Sequence, residues 1–226
     1  MKKILSILCI LVVTLGLSAC GNVGLVGSIT GENGVSSGTN KANKDYSKKV
    51  SITSHQLPDN NILGLIKNNS NKVLDVEAAI AYYDEEDNLI YSEPENAFGM
   101  APGAQMAVEF YVDEEIEDYY RYEIELEAEE SYWDAIPIDE LVIKNNNTGS
   151  KVTTQVTNNS GKDNLYITAN VIYFKNGKVI GFDYESKSNV NNGKTANFTF
   201  DYPRDKNYNK ISFDEYEVYA NAYIEV

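Results

Sequence analysis

Two stretches of this chain repeat one another at a spacing of 90 residues, and that spacing limits the fold more than any other feature. Asn68-Asn69-Ser70 returns as Asn158-Asn159-Ser160, Gly103 as Gly193 and Phe110 as Phe200. Between these anchors the offset slips to 91, so that Leu74, Val76, Ala78, Ile80 and Tyr82 map onto Leu165, Ile167, Ala169, Val171 and Tyr173. The intervening positions hold Asp75 and Glu77 in the first copy, and Tyr166, Thr168 and Asn170 in the second. A period of two means a strand with one face turned to a core. The extra residue is given back in the next turn, which runs Asp84-Glu85-Glu86-Asp87-Asn88 in the first copy and Lys175-Asn176-Gly177-Lys178 in the second. A hairpin tip tolerates such a change, whereas a slip inside a strand would invert its faces. Asn-Gly between apolar strands also predicts a type I′ turn, which needs positive φ at both central residues.

The same alternation recurs at Met106, Val108, Phe110 and Val112, at Ala196, Phe198, Phe200 and Tyr202, and through Tyr122–Glu127 and Tyr216–Ala220. With Ile62–Ile66 and Val152–Val156, and first strands near Val50–Thr53 and Leu141–Lys144, each copy offers about six or seven short strands. The expected fold class is all-β: two tandem antiparallel immunoglobulin-like β-sandwich domains after a signal peptide and flexible tether. The chain has two Cys and one Trp and no Cys…Trp…Cys framework, so these are not true immunoglobulin domains. The expected divisions are 1–19, a lipoprotein signal peptide; 20–49, the lipidated Cys and a flexible linker; 50–130, an acidic sandwich; 131–139, an interdomain linker; and 140–226, the second sandwich. Trp133 falls in that linker and is expected either to plug the joint or to face a ligand in the interdomain cleft.

Lys2 and Lys3 precede an apolar run from Ile4 to Leu17. That run reads as a secretory signal and is short for a membrane span, which needs about 20 residues. It ends in Leu17-Ser18-Ala19-Cys20-Gly21, which resembles the lipobox of bacterial lipoproteins. The resemblance implies cleavage before Cys20 and a diacylglycerol on its thiol. Two acyl chains hold a protein stably on a membrane where one does so only marginally. Cys9 lies in the discarded segment, so no disulfide is expected within the mature chain. Residues 21–49 hold six of the 15 Gly, mixed with Ser, Thr and Asn, the composition of a flexible tether.

Ile80-Ala81-Tyr82-Tyr83-Asp84, between Asn68-Asn69-Ser70 and Pro102-Gly103, resembles the small β-sandwich domains of Gram-positive lipoproteins named for a Phe-x-Leu-Tyr-Asp motif. The second copy departs further, reading Val171-Ile172-Tyr173-Phe174-Lys175. The resemblance spans about 175 residues as a pattern of strand positions. It implies the sandwich fold and an extracytoplasmic, membrane-anchored setting, and no chemistry.

The chain carries 19 Lys+Arg against 34 Asp+Glu, a net charge of −15. That balance excludes nucleic acid, which needs clustered bases. Residues 50–138 hold 21 acids against Lys67, Lys72 and Arg121, while residues 139–226 hold 11 acids and 10 bases. Two copies of one fold do not need so lopsided a charge for packing. The candidate partner surface is therefore Asp84, Glu85, Glu86, Asp87, Glu123, Glu125 and Glu127, with Trp133. A solvated face that keeps the domain soluble is the plainer reading of the acids. The sharper reading is a surface for a basic protein, an amine-bearing wall polymer or diffuse cations. The Asp84–Asn88 turn lacks the spacing of a calcium loop, and no metal or other cofactor is expected.

The one His, His55, has no second His for a zinc site, and no Gly-rich phosphate loop follows a strand. A carboxylate pair acting on a glycosidic bond would need two acids facing across a cleft, and sandwiches this small have little room for one. The sequence thus reads as a non-catalytic binding or adhesion module, lipid-anchored outside the cell. The alternative is a structural or accessory envelope lipoprotein without a small ligand.

Overall fold

Alternating apolar residues in each copy form strands because a pleated chain turns every second side chain to the same side. The computed structural model describes residues 45–148, 151–205 and 207–224; the expected signal peptide, Cys20 and most of the expected tether lie outside them. In the first copy the strands are β1 (Val50–Gln56), β2 (Ile62–Asn68), β3 (Leu74–Tyr83), β4 (Leu89–Met100), β5 (Gln105–Phe110) and β6 (Arg121–Glu130). The second copy has β7 (Leu141–Asn147), β8 (Val152–Asn158), β9 (Leu165–Lys175), β10 (Lys178–Val190), β11 (Thr195–Phe200) and β12 (Glu215–Ile224). All pairings between them are antiparallel. The first copy makes sheets β1-β2-β5 and β4-β3-β6, and the second repeats this order as β7-β8-β11 and β10-β9-β12. The protein is all-β, with two tandem sandwiches of one topology.

The repeat alignment holds in the cores. Leu74 and Leu165, Ala78 and Ala169, Ile80 and Val171, Tyr82 and Tyr173, and Phe110 and Phe200 are all fully buried. Asn176 and Gly177 have φ of 51° and 72°, and Lys175 pairs directly with Lys178, as the two-residue hairpin requires. The fourth strand of each copy is much longer than its apolar residues suggest. β4 runs 12 residues through Glu93, Pro94 and Glu95. Pro94 is tolerated because β4 is an edge strand, where a missing N–H leaves no neighbour unpaired.

The repeated Asn-Asn-Ser is explained by a buried hub. Asn68, at the end of β2, is fully buried and donates from Nδ2 to the carbonyls of Lys72 at 2.8 Å and Met100 at 2.9 Å. Its Oδ1 accepts the Ser70 N–H at 2.9 Å and the Ser70 hydroxyl at 2.7 Å. Asn158 repeats the set, donating to Lys162 and Val190 at 2.9 Å each and accepting from Ser160 at 3.0 and 2.7 Å. The backbone carbonyls of both Asn accept from Gly103 and Gly193, each at a left-handed φ. One amide thus ties a strand of one sheet to the end of a strand in the other.

The two sandwiches share a third apolar core. Leu63 points away from its own sandwich yet is fully buried, together with Leu57, against Ile172 and Val179 of the second copy. Ala107, Phe174, Phe182 and Tyr219 pack around them. The outer face of sheet β1-β2-β5 therefore lies on the outer face of sheet β10-β9-β12. At one edge of this seam Asn221, 1% exposed, donates to the Gly99 carbonyl at 2.9 Å and accepts the Ala101 N–H at 3.2 Å. Gly99 and its counterpart Asn189 share φ of 58°. Glycine is needed only at the first, because a Cβ there would sit 3.0 Å from the Tyr223 ring, whereas Asn189 is exposed.

Replacing Asn68 by Ala strands several buried backbone groups, at about 3 kcal/mol, and lowers the midpoint of thermal unfolding by about 6–12 °C for a unit of this size. Asn68→Asp costs more than Asn68→Ala at pH 7, because a carboxylate then faces the Lys72 and Met100 carbonyls. Thermal melts of the two variants check the order.

Candidate functional site

The acidic residues singled out in the sequence fall into two groups joined by one base. Asp84 closes the β3–β4 turn, its Oδ1 accepting the N–H of Glu86 at 2.9 Å and of Asn88 at 2.8 Å, its Oδ2 the Asn88 amide at 3.0 Å. These bonds, the Asn88 side chain's first, hold its carboxyl below the usual range. Glu85, Glu86 and Asp87 are exposed on the same turn. Arg121 reaches from β6 to Asp87 at 2.8 Å and to Glu123 at 2.6 Å, with its guanidinium 3.9 Å from the centre of the Tyr83 ring. Glu123, Glu125 and Glu127 project outward from the edge strand β6, opposite Ala81, Ala79 and Glu77. This is a flat, solvated face. Among the described residues no group of three or more His, Cys, Asp or Glu is placed to hold a metal ion.

Trp133 stands apart from these acids. It is half-buried and packs at a tilt between Tyr132, with ring centres 4.6 Å apart, and Tyr223 of β12 at 4.7 Å, and Tyr223 stacks in turn on Tyr166 at 5.2 Å. The linker is held by backbone bonds from Ile136 to Ala222 at 2.8 Å and from Ile224 to Asp134 at 3.0 Å, so it pairs along β12. The ring stack flanks the seam, whose apolar core lies at Leu63 and Ile172.

A concavity lies elsewhere among the described residues, beside the seam, as a cleft of about 410 Å³. Its walls come from both sandwiches: Leu57 and Asp59 of the β1–β2 turn, Glu109 and Tyr111 at the end of β5, Phe182, Asp183 and Tyr184 of β10, and Asp201–Arg204 after β11. Register explains the placement. Odd-numbered positions of β5 face away from the first core, which puts Ala107 in the seam and Glu109 and Tyr111 on the cleft wall. Gly181, at the irregularity in β10, lies under Pro203, whose Cβ is 2.6 Å from where a Cβ on residue 181 would sit, so only glycine fits there.

The acids of the cleft differ from those of β6 because they are partly out of water. Glu109 accepts the Asn61 amide at 3.0 Å, and burial pushes its carboxyl above the usual range. Asp183 accepts the N–H of Asp201 at 3.0 Å and of Tyr184 at 2.8 Å, and burial again raises it. Tyr111 is pushed up to about 12, first by the Glu109 charge and then by burial, with Tyr184 contributing. Neither Glu109 nor Asp183 forms an ion pair with a described base. Arg204, on the rim, donates to the Tyr208 carbonyl at 2.9 Å. Tyr111 and Tyr184 remain 57% and 63% exposed. Chemically this is a cleft lined by carboxylates and aromatic rings, with one base, Arg204.

No family model matches the chain, and no curated protein does. Among solved structures it is similar to a calcium binding mutant of Bacteroides uniformis beta-glucuronidase 2, with 11% identity over 65% of this chain and 22% of that one, and a TM-score of 0.17. A likeness that slight carries no argument about fold or chemistry.

Because burial raises Glu109, the folded state binds its proton more readily than the unfolded chain does, and ionisation weakens the fold. Glu109→Gln therefore raises the melting temperature at pH 7, and the gap to wild type closes as the pH falls through the raised carboxyl value. Melts at pH 7 and pH 4 check this; a variant less stable at pH 7 contradicts the burial argument.

Proposed function

We propose that this protein is a non-catalytic binding module held at the outer face of the cell membrane by lipid on Cys20, and that its partner seats in the cleft between the sandwiches. The observation that supports this reading is the cleft itself: two exposed tyrosines and two base-free carboxylates, brought by separate sandwiches to the open end of one seam. Pre-formed concave sites with a few polar groups among apolar walls are where small ligands and partner side chains bind. The seam fixes the spacing of the walls, so little ordering is lost on binding.

A second reading is an accessory envelope lipoprotein that serves as a spacer without a small ligand. The Trp133 stack favours it, because a joint braced by Tyr132, Tyr223 and Tyr166 resists bending.

Metabolic labelling with a palmitate analogue in a Gram-positive host tests the anchor. Wild type takes up label and fractionates with membranes, and Cys20→Ala does neither; unlabelled wild type contradicts the anchor. A photo-crosslinking residue in place of Tyr184, compared with one in place of Glu125, separates the two readings on intact cells. Adducts enriched at position 184 support the binding module, and equal yields at both positions support the spacer.

A further inference from the structure

Resting on the binding-module reading, we propose that the cleft takes a primary alkylammonium group on an apolar stem, with its charge near Glu109 and Asp183 and its methylenes along the Tyr111 and Tyr184 rings. Four observations converge on this chemistry. Glu109 and Asp183 line one cleft and pair with no described base. The one base on the wall, Arg204, donates from Nη1 to the Tyr208 carbonyl and is paired with neither acid. Tyr111 and Tyr184 expose more than half their surface yet sit beside half-buried acids, and a ring face attracts a cation while an apolar stem covers it. Burial also sets these acids apart from the β6 row: charges partly out of water attract a cation more strongly and are screened less by salt.

The alternatives fit less well. An anion meets Asp59, Glu109, Asp183 and Asp201 around the same space, against the single base Arg204. A neutral sugar stacks on the tyrosines but brings no counter-charge to two partly desolvated carboxylates that have hydrogen bonds and no ion pair. A calcium ion asks for six to eight converging oxygens, and no group of three or more ligating side chains is assembled among the described residues. A cleft of about 410 Å³ holds a chain-like amine and not a folded domain. The same group is presented by a free polyamine and by a lysine side chain on a protein.

The test is calorimetric titration of the detergent-solubilised full chain with spermidine, with an acetylated and amidated Gly-Lys-Gly peptide, and with a neutral chito-oligosaccharide. Binding of spermidine or the lysine peptide is expected, and the stronger arm names the source. Affinity should fall about tenfold in Tyr111→Ala and in Glu109→Gln, the loss of one aromatic face or one close counter-charge. It should change less than about twofold in the triple variant Glu123→Gln, Glu125→Gln, Glu127→Gln, whose charges are screened at the surface. Tyr184→Ala serves as a second cleft variant should Tyr111→Ala fold poorly. Absence of amine binding at millimolar concentration overturns the inference, as does a triple variant that loses as much as the cleft variants. If the neutral oligosaccharide binds and the amines do not, the inference falls while the binding-module reading stands. If position 184 also yields no specific adduct on cells, both fall.

Discussion

Leu63 is buried on the side of β2 that faces away from its own sandwich, and the arrangement of the whole protein depends on what covers it. With Leu57 it meets Ile172 and Val179, and each such side chain withdrawn from water is worth about 2 kcal/mol. That contribution turns two small sandwiches, each with a modest core, into one body with three cores. The Asn221 amide then grips the Gly99 carbonyl and the Ala101 N–H across the same joint. Where the apolar contact ends, the sheets diverge, and the space between them is the cleft. Leu57 and Phe182 belong both to the seam and to the cleft wall. Those two residues tie the cleft wall to the packing behind it.

The two copies keep what the fold needs and diverge where they meet their surroundings. Both keep the buried Asn hub, the left-handed Gly of the following turn and the Leu-to-Tyr face of the central strand. Both also keep an acid on the inward side of the fourth strand that accepts an N–H from beyond the fifth: Glu93 from Tyr111 at 3.1 Å, and Asp183 from Asp201 at 3.0 Å. That bond closes the open side of each sandwich and puts a charge on an edge strand, which discourages strand addition. In the second copy the same acid also lines the cleft, so one inherited brace serves a further purpose on our reading. The acidic turn and β6 of the first copy have no such inherited role beyond Asp84, whose carboxylate shapes its turn.

The parts of this fold written locally in the sequence are those with one wet and one dry face. Leu74 through Tyr82 sets its larger apolar residues at every second position, with Asp75 and Glu77 between the first of them, so strand, face and repeat are all legible from the residues alone. β4 is not legible in this way, because Glu93-Pro94-Glu95-Asn96 carries loop residues; an edge position and an inward acid let them stand in a strand. The unbroken apolar run Ile62-Leu63-Gly64-Leu65-Ile66 signals burial on both faces, yet nothing local says which surface covers the second. The cleft is less visible still. Glu109 and Asp183 lie far apart in the chain, on different sandwiches, and only the seam brings them to one cleft. Trp133, conspicuous as the only Trp, drew attention to the linker, while the joint itself is made of ordinary aliphatic residues.

The central claim is that the seam makes the two sandwiches a single cooperative body. Differential scanning calorimetry of the wild-type chain and of Leu63→Asp tests it most directly. Wild type should unfold in one transition whose calorimetric and van't Hoff enthalpies agree, and the charge placed in the seam should split it into two, one for each sandwich. Two transitions in the wild type, at midpoints that Leu63→Asp leaves unchanged, would contradict the account.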